Sequence, residues 1–380
     1  MEKGTVELQV WHQKFLRYLA CEGSPPAPGR ISSRDPLHDK SSSHSPSSGA
    51  SQSWFAIGIA LIFSSFLKSP DKLNSETQIP LPAVNMPREA EISTNEKQFL
   101  KTALTENVRI DGRLFEQYRP LSLGFGEEFG VAEVELGKTR ILAKVSAEVT
   151  VPYADRPFDG IFQIVTELSP MVSPAFEVNR PTETEVLLSR LLEKTVRRSG
   201  ALDTESLCLM AGKKCWAVRV DVHVLSHDGN LVDAACVAVV AALRHFRKPD
   251  TSVEGEMVTV YTAAEREPTP LSWLHSPYCV TWSFYGEEGE MALLDASWKE
   301  EQVQVASFTV SLNRHGEVCQ IAKLGGVAVD AVLLLKCTAG ATVEVKRISE
   351  MVDQKLEEDA KRRDKGGLMA ELRAENERES

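Results

Sequence analysis

Three arginines and a lysine in the middle of the chain, Arg190, Lys194, Arg197 and Arg198, are the side chains best suited to chemistry with an anion. Arg190, Lys194 and Arg197 sit at i, i+4 and i+7, so a helix would carry them on one face with Arg198 beside them. Such a stripe can hold successive phosphates of a nucleic-acid strand without reading its bases. The competing reading is a solvated helix face in which Glu193 pairs with Arg197, and spacing alone favours it. Gly137-Lys138-Thr139 is similar to the end of a phosphate-binding loop, but residue 132, where that loop needs glycine, is Ala, so a hairpin turn is expected instead. His223 and His227 share a face of a strand next to Asp228, yet no further ligand stands at a suitable spacing, and no metal or other cofactor is expected. Asp228 and Asp233 read as residues that shape a turn and cap a helix. No elbow motif supports a Ser-His-Asp arrangement, and Trp216 and Trp282 read as core aromatics.

The elements that must position these residues begin late in the chain. The 380 residues are 42% hydrophobic and carry a formal net charge of −11, so contact with nucleic acid requires a local basic patch. Seven cysteines with no CxxC pair suggest reduced thiols rather than a disulfide or zinc framework. Residues 22 to 53 are rich in Ser and Pro and read as disordered. Trp54 to Leu67 is apolar but has only 14 residues, short of the roughly 20 that a spanning helix needs, so no membrane partner is expected. Residues 1–85 are read as a largely disordered extension, with Met86 as the usual start.

From there the pattern is globular. A helix is expected over Thr94–Leu104, capped by Ser93 and Glu96. Val131–Leu136 and Ile141–Val149 read as a hairpin. Thr182 and Glu185 form a capping box for a helix running to Arg198 and stopped at Gly200. Trp216–Leu225 alternates as a half-buried strand, and Leu231–Phe246 is an Ala-rich helix suited to close packing on a sheet. Beyond Pro249, strands are expected over Met257–Thr262, Tyr278–Phe284, Met291–Leu294, Ser307–Leu312 and Val318–Lys323. A helix near Ala328–Cys337 and a charged helix from Val343 to about Lys365 follow. Strands followed by helices, occurring twice, argue for an α+β fold in segments 86–250, 251–345 and 346–380.

Arg109-Ile110-Asp111-Gly112-Arg113, with Arg119-Pro120 after it, resembles the N-terminal signature of the ribonuclease PH family. Leu168-Ser169-Pro170, Ser173-Pro174-Ala175-Phe176 and the run Val224 to Ala235 (VLSHDGNLVDAA) are similar to the family's non-catalytic exosome branch. The resemblance covers roughly residues 87–345. It implies a ribonuclease PH-like fold built from βαβα units like those of ribosomal protein S5 domain 2. Active members cleave RNA from its 3′ end with inorganic phosphate. That reaction needs cations to hold the phosphate and a placed carboxylate to assist the leaving group.

Two departures from the active pattern stand out. Where active members open a helix with an arginine pair, this chain has Arg180-Pro181-Thr182-Glu183. Where they carry a two-aspartate pattern, it has Glu288-Gly289-Glu290 and, further on, Asp295. The resemblance therefore implies vestigial active-site positions at Arg180, Glu288 and Asp295 and no catalysis, an active phosphate-dependent exoribonuclease being the alternative. It tips the reading of Arg190, Lys194, Arg197 and Arg198 toward RNA, and it offers Arg109 and Arg113 as further channel residues. Arginines near an aspartate turn are as often structural. Implied partners are other ribonuclease PH-like ring subunits, S1/KH cap subunits, a hydrolytic exosome nuclease and single-stranded RNA. Implied locations are the nucleus, with its nucleolus, and the cytoplasm. A membrane-tethered form using Trp54–Leu67 is a third reading.

Overall fold

A computed structural model describes residues 91–364 apart from 178, 179, 256, 263 and 264. Trp54–Leu67 and the extension expected over residues 1–85 lie outside the described residues. Helix α1 (Thr94–Thr105) begins at Ser93, whose hydroxyl accepts from the Glu96 N–H while the Glu96 carboxylate reaches back to the cap. Five strands form the path of a first sheet: β1 (Leu121–Phe125), β2 (Val131–Leu136), β3 (Thr139–Thr150), β4 (Ile161–Leu168) and β6 (Lys214–Ser226). Their order is β1-β2-β3-β6-β4, and short β5 (Cys208–Met210) joins beside β6. All pairings are antiparallel except β4 on β6, which runs parallel from Ile161↔Ala217 to Leu168↔Val224. A parallel pair needs a long crossover, and helix α2 (Glu183–Leu192) lies on it against β4.

Helix α3 (Leu231–His245) is buried almost all round. Its Ala234, Ala235, Ala238, Ala241 and Ala242 let it sit between β2 and β3 on one side and β11 (Tyr278–Tyr285) on the other. β11 belongs to a second antiparallel sheet of order β12-β11-β13-β14, with β12 (Met291–Leu294), β13 (Ala306–Leu312) and β14 (Val318–Leu324). Four small strands, β7 (Arg247–Lys248), β8 (Thr251–Glu254), β9 (Met257–Val260) and β10 (Thr269–Pro270), form two outlying pairs. A single turn of helix, α4 (Trp298–Glu301), follows β12.

The two helices expected over Ala328–Cys337 and Val343–Lys365 are one continuous helix, α5 (Ala331–Arg363). It packs on β11, β13 and β1 through Cys337, Ala341, Val345, Ile348 and Val352, whose steps of three and four trace one buried stripe. One hydrophobic core runs from Tyr118 to Val352 and crosses residue 250 without a break, and the boundary expected at 345/346 falls inside α5. The six described cysteines are free thiols.

Candidate nucleic-acid interface

The basic stripe is carried by α2 and by a π turn that continues it over Glu193–Arg197. Thr182 Oγ1 accepts from the Glu185 N–H and sets the start of α2. Leu188, Leu191 and Leu192 bury its inner face, and Thr195 and Val196 continue that face. The π turn is closed by the Arg198 N–H on the Glu193 carbonyl at 3.2 Å. It is pinned to the second sheet by Thr195 Oγ1, which donates to Gln320 Oε1 at 2.9 Å. With the inner face fixed, Arg190, Lys194, Arg197 and Arg198 are all exposed. Glu193 lies 3.8 Å from Arg190 and 3.1 Å from Arg197 and neutralises part of the stripe. The pairing read from spacing and the cationic face thus coexist. Lys194 and Arg198 have no ion-pair partner among the described residues, so they are the two cations available to a phosphate.

Arg109 and Arg113 are placed otherwise, and the expectation that they contact RNA is corrected. The Arg109 side chain is fully buried and forks onto Glu300, with Nε on Oε1 at 3.0 Å and Nη2 on Oε2 at 2.7 Å. It also donates to the Leu294 and Asp295 carbonyls. Arg113 bonds Asp295 Oδ2 at 3.2 Å, Asp111 Oδ2 at 3.1 Å and the Gln117 carbonyl. The signature around the aspartate turn is therefore a clasp that fastens the segment before β1 to the end of β12 and to α4.

Asp295 is the centre of that clasp. It adopts φ +52° and is fully buried. Its carboxylate accepts from Arg119 through Nε, Nη2 and the backbone N–H at 2.8, 2.8 and 2.9 Å, from Arg113, and from Asn230 Nδ2 at 2.7 Å. Burial alone would raise its pKa, but Arg119 and Asn230 outweigh that and hold the carboxyl below the usual range. Asn230, itself at φ +53°, also donates to Asp233, which accepts from Tyr118 and Thr281. Burial pushes Asp233 up to about 6 despite the Thr281 and Asn230 bonds. Glu301, accepting from the Asn230 N–H at 2.6 Å, is pushed up to about 7 by burial.

The three positions read as vestigial are in different surroundings. Arg180 is exposed near the start of α2 and pairs with Glu177 at 3.4 Å. Glu288 is exposed in the turn between β11 and β12, and Gly289, Glu290 and the whole of β12 separate it from buried Asp295. A paired carboxylate site at 288 and 295 is not formed. Gly137-Lys138-Thr139 makes the β2–β3 turn, with Gly137 at φ +60° and Thr139 Oγ1 on the Gly229 carbonyl. His223 pairs with Glu167 on the neighbouring strand, while His227 Nδ1 accepts from the Gly229 N–H. Among the described residues no three His, Cys, Asp or Glu side chains gather as a metal site, and no helix is long and apolar enough to cross a membrane.

The sequence comparisons agree with this architecture. Two domain models of the 3′ exoribonuclease family match the chain, domain 1 over residues 117–249 and domain 2 over residues 275–343. The chain belongs to the ribonuclease PH family. Similar members of the family include the exosome complex component rrp45 of Schizosaccharomyces pombe, 48% identical over 77% of this chain and all of that protein. The exosome complex component RRP45 of Saccharomyces cerevisiae is 46% identical with the same coverage, and its Homo sapiens counterpart is 44% identical over 74% of this chain and 64% of that protein. The ribonuclease PH fold is also that of a solved Archaeoglobus fulgidus exosome with RNA bound to its active site, 28% identical with a TM-score of 0.60 over 68% of this chain and 97% of that one. An archaeal exosome core matches at 26% identity and a TM-score of 0.57, over 68% of this chain and 96% of that one.

Proposed function

We propose that this chain is a ring subunit of an RNA exosome that passes single-stranded RNA along its surface and performs no cleavage itself. The observation that carries the non-catalytic reading is Asp295: a carboxylate with five N–H donors and no exposure can neither assist a leaving group nor hold a metal. The other acidic position, Glu288, is exposed and stands apart from it, with no ion-pair partner among the described residues. Similarity to exosome components along their whole length supports the ring role.

In this reading, Lys194 and Arg198, with Arg190 and Arg197 partly offset by Glu193, contact phosphates of a passing strand. Other ribonuclease PH-like subunits complete the ring. S1/KH proteins cap it and a separate hydrolytic nuclease receives the RNA. The output is 3′-to-5′ processing of ribosomal RNA, nuclear surveillance and messenger RNA turnover, in nucleus, nucleolus and cytoplasm.

The test is release of nucleoside diphosphates from a 3′-labelled single strand with phosphate and Mg²⁺, by the purified chain and by a reconstituted ring. We expect no release above the level of a ring lacking this subunit. Replacing Lys194 and Arg198 by Ala should weaken RNA binding about five- to twentyfold. Phosphate-dependent release by the chain alone would overturn the proposal.

A further inference from the structure

The β11–β12 turn, where the resemblance placed a remnant of phosphate chemistry, borders an apolar groove. Two hollows of about 840 Å³ and about 570 Å³ share Glu290, Leu333 and Lys336 and so form one groove between α5 and the β11–β12 hairpin. Each is of the size that holds a few side chains rather than a folded domain. The groove is apolar within: Val329, Leu333 and Ala292 line it, and Val332 and Val343 stand at it 71% and 67% exposed. Trp282 lines the inner hollow, and its buried indole N–H has no hydrogen-bond acceptor among the described residues. Gly340 lets α5 approach that ring, since a Cβ there would come within 3.1 Å of it.

The rim is strongly acidic. Glu287, Glu288 and Glu290 crowd one turn and have no ion-pair partner among the described residues. The cation of the groove, Lys336, is already held by Glu116 at 3.2 Å, and Glu344 is held by Arg347. Three unpaired like charges repel a polyanion, so RNA does not fit here. They attract a cation, and the apolar trough beneath them favours a chain that brings aliphatic or aromatic side chains as well.

We propose that this groove is a docking site for a basic, apolar-anchored peptide segment of a partner protein, with Leu- or Phe-like side chains along α5 and Lys or Arg against Glu287, Glu288 and Glu290. The site is on different elements from the basic stripe, and it stands whether or not the stripe contacts RNA.

The test is fluorescence anisotropy of a labelled short peptide of alternating Lys pairs and Leu, titrated with the full chain. Peptides with Glu for Lys or Ser for Leu serve as comparators. The Lys/Leu peptide should bind and both comparators should bind at least about tenfold more weakly. Glu287→Lys, Glu288→Lys and Glu290→Lys together should cost about tenfold or more. The same charge change made at exposed Glu183, Glu205 and Glu254 should cost less than about twofold. Val343→Asp, at an exposed position that the fold does not need, should weaken binding about fivefold. No binding of the Lys/Leu peptide, equal loss in the two triple variants, or binding indifferent to Ser for Leu overturns the proposal. The last two outcomes would mean that the chain's overall negative charge, and not the groove, attracts the peptide.

Discussion

At the scale of single residues, the consequential feature is that the most prominent charges are structural. Asp295, Arg119 and Arg109 are taken out of water together, and each finds its full set of partners. A buried pair of this kind is weak evidence of net stabilisation, but removing one member leaves an uncompensated buried charge. Asp295→Asn should therefore destabilise the chain by about 3–5 kcal/mol, because the Arg119 guanidinium would keep its desolvation with only the more distant Asp228, at 3.8 Å, as counter-ion. Urea denaturation checks this, and a midpoint unchanged from the parent would show that Arg119 finds another anion. The sequence displayed these residues openly. The motif from Arg109 to Arg113 is recognisable, yet nothing in residue type separates an arginine aimed at a phosphate from one forked onto Glu300. That difference is set by α4, a single helical turn with no periodicity to announce it. The left-handed Asn230 and Asp295 were equally silent, although Asn and Asp are the non-glycine residues that most often adopt this backbone.

At the scale of elements, strong periodicity was legible and interruptions were not. The β2–β3 hairpin, β6, α3 and β11 appear where alternation or an apolar run placed them. Where the sequence suggests two helices α5 is one; Gly340 lies between them, and glycine costs a helix about 1 kcal/mol relative to alanine. Here the glycine is used for close approach to Trp282, and packing of the flanking stripe carries the helix through. The π turn at Glu193–Arg197 had no sequence signal either; it adds a residue to the turn so that Thr195 reaches Gln320.

The far end of α5 carries a further element-level consequence. His245 Nδ1 accepts from the Gly130 N–H at 3.1 Å, so its Nε2–H donates to Asp359 at 3.1 Å. Arg363 bonds Asp359 and the Gly126 and Glu127 carbonyls and lies over the Phe129 ring. Burial, Arg363 and Arg247 push the His245 pKa down to about 4 from an ordinary 6.5, against the pull of Asp359. A depressed value means that the folded state resists a proton that the unfolded chain accepts. The stabilisation is present above pH 6.5 and is lost as pH falls toward 4, by up to about 3 kcal/mol. Hydrogen exchange should show the last turns of α5 loosening across that window before α3 does. His245→Gln, which cannot gain the charge, should flatten the response.

At the scale of the whole molecule, a chain of net charge −11 is proposed to hold a polyanion. A chain so charged repels RNA at long range, and the repulsion is screened as salt rises, whereas the contacts at the basic stripe are weakened by the same salt through competition from released counter-ions. The two effects have opposite signs, so the slope of log affinity against log salt reports how many phosphates the stripe neutralises after the rest of the surface is subtracted. Single-stranded contacts contribute about −0.7 each to that slope. With Lys194 and Arg198 the unpaired cations, replacing both by Ala should make the slope shallower by about 1.4, with no change in the thermal midpoint, since both side chains are exposed. Glu193→Gln should act in reverse: it frees Arg190 and Arg197, which it now holds at 3.8 and 3.1 Å, and should steepen the slope and tighten binding at low salt. The pair of variants moving in opposite directions would place RNA on this face of α2. A slope that neither variant moves would mean that whatever RNA the chain binds is held elsewhere, and that the stripe is the solvated helix face that its spacing alone favoured.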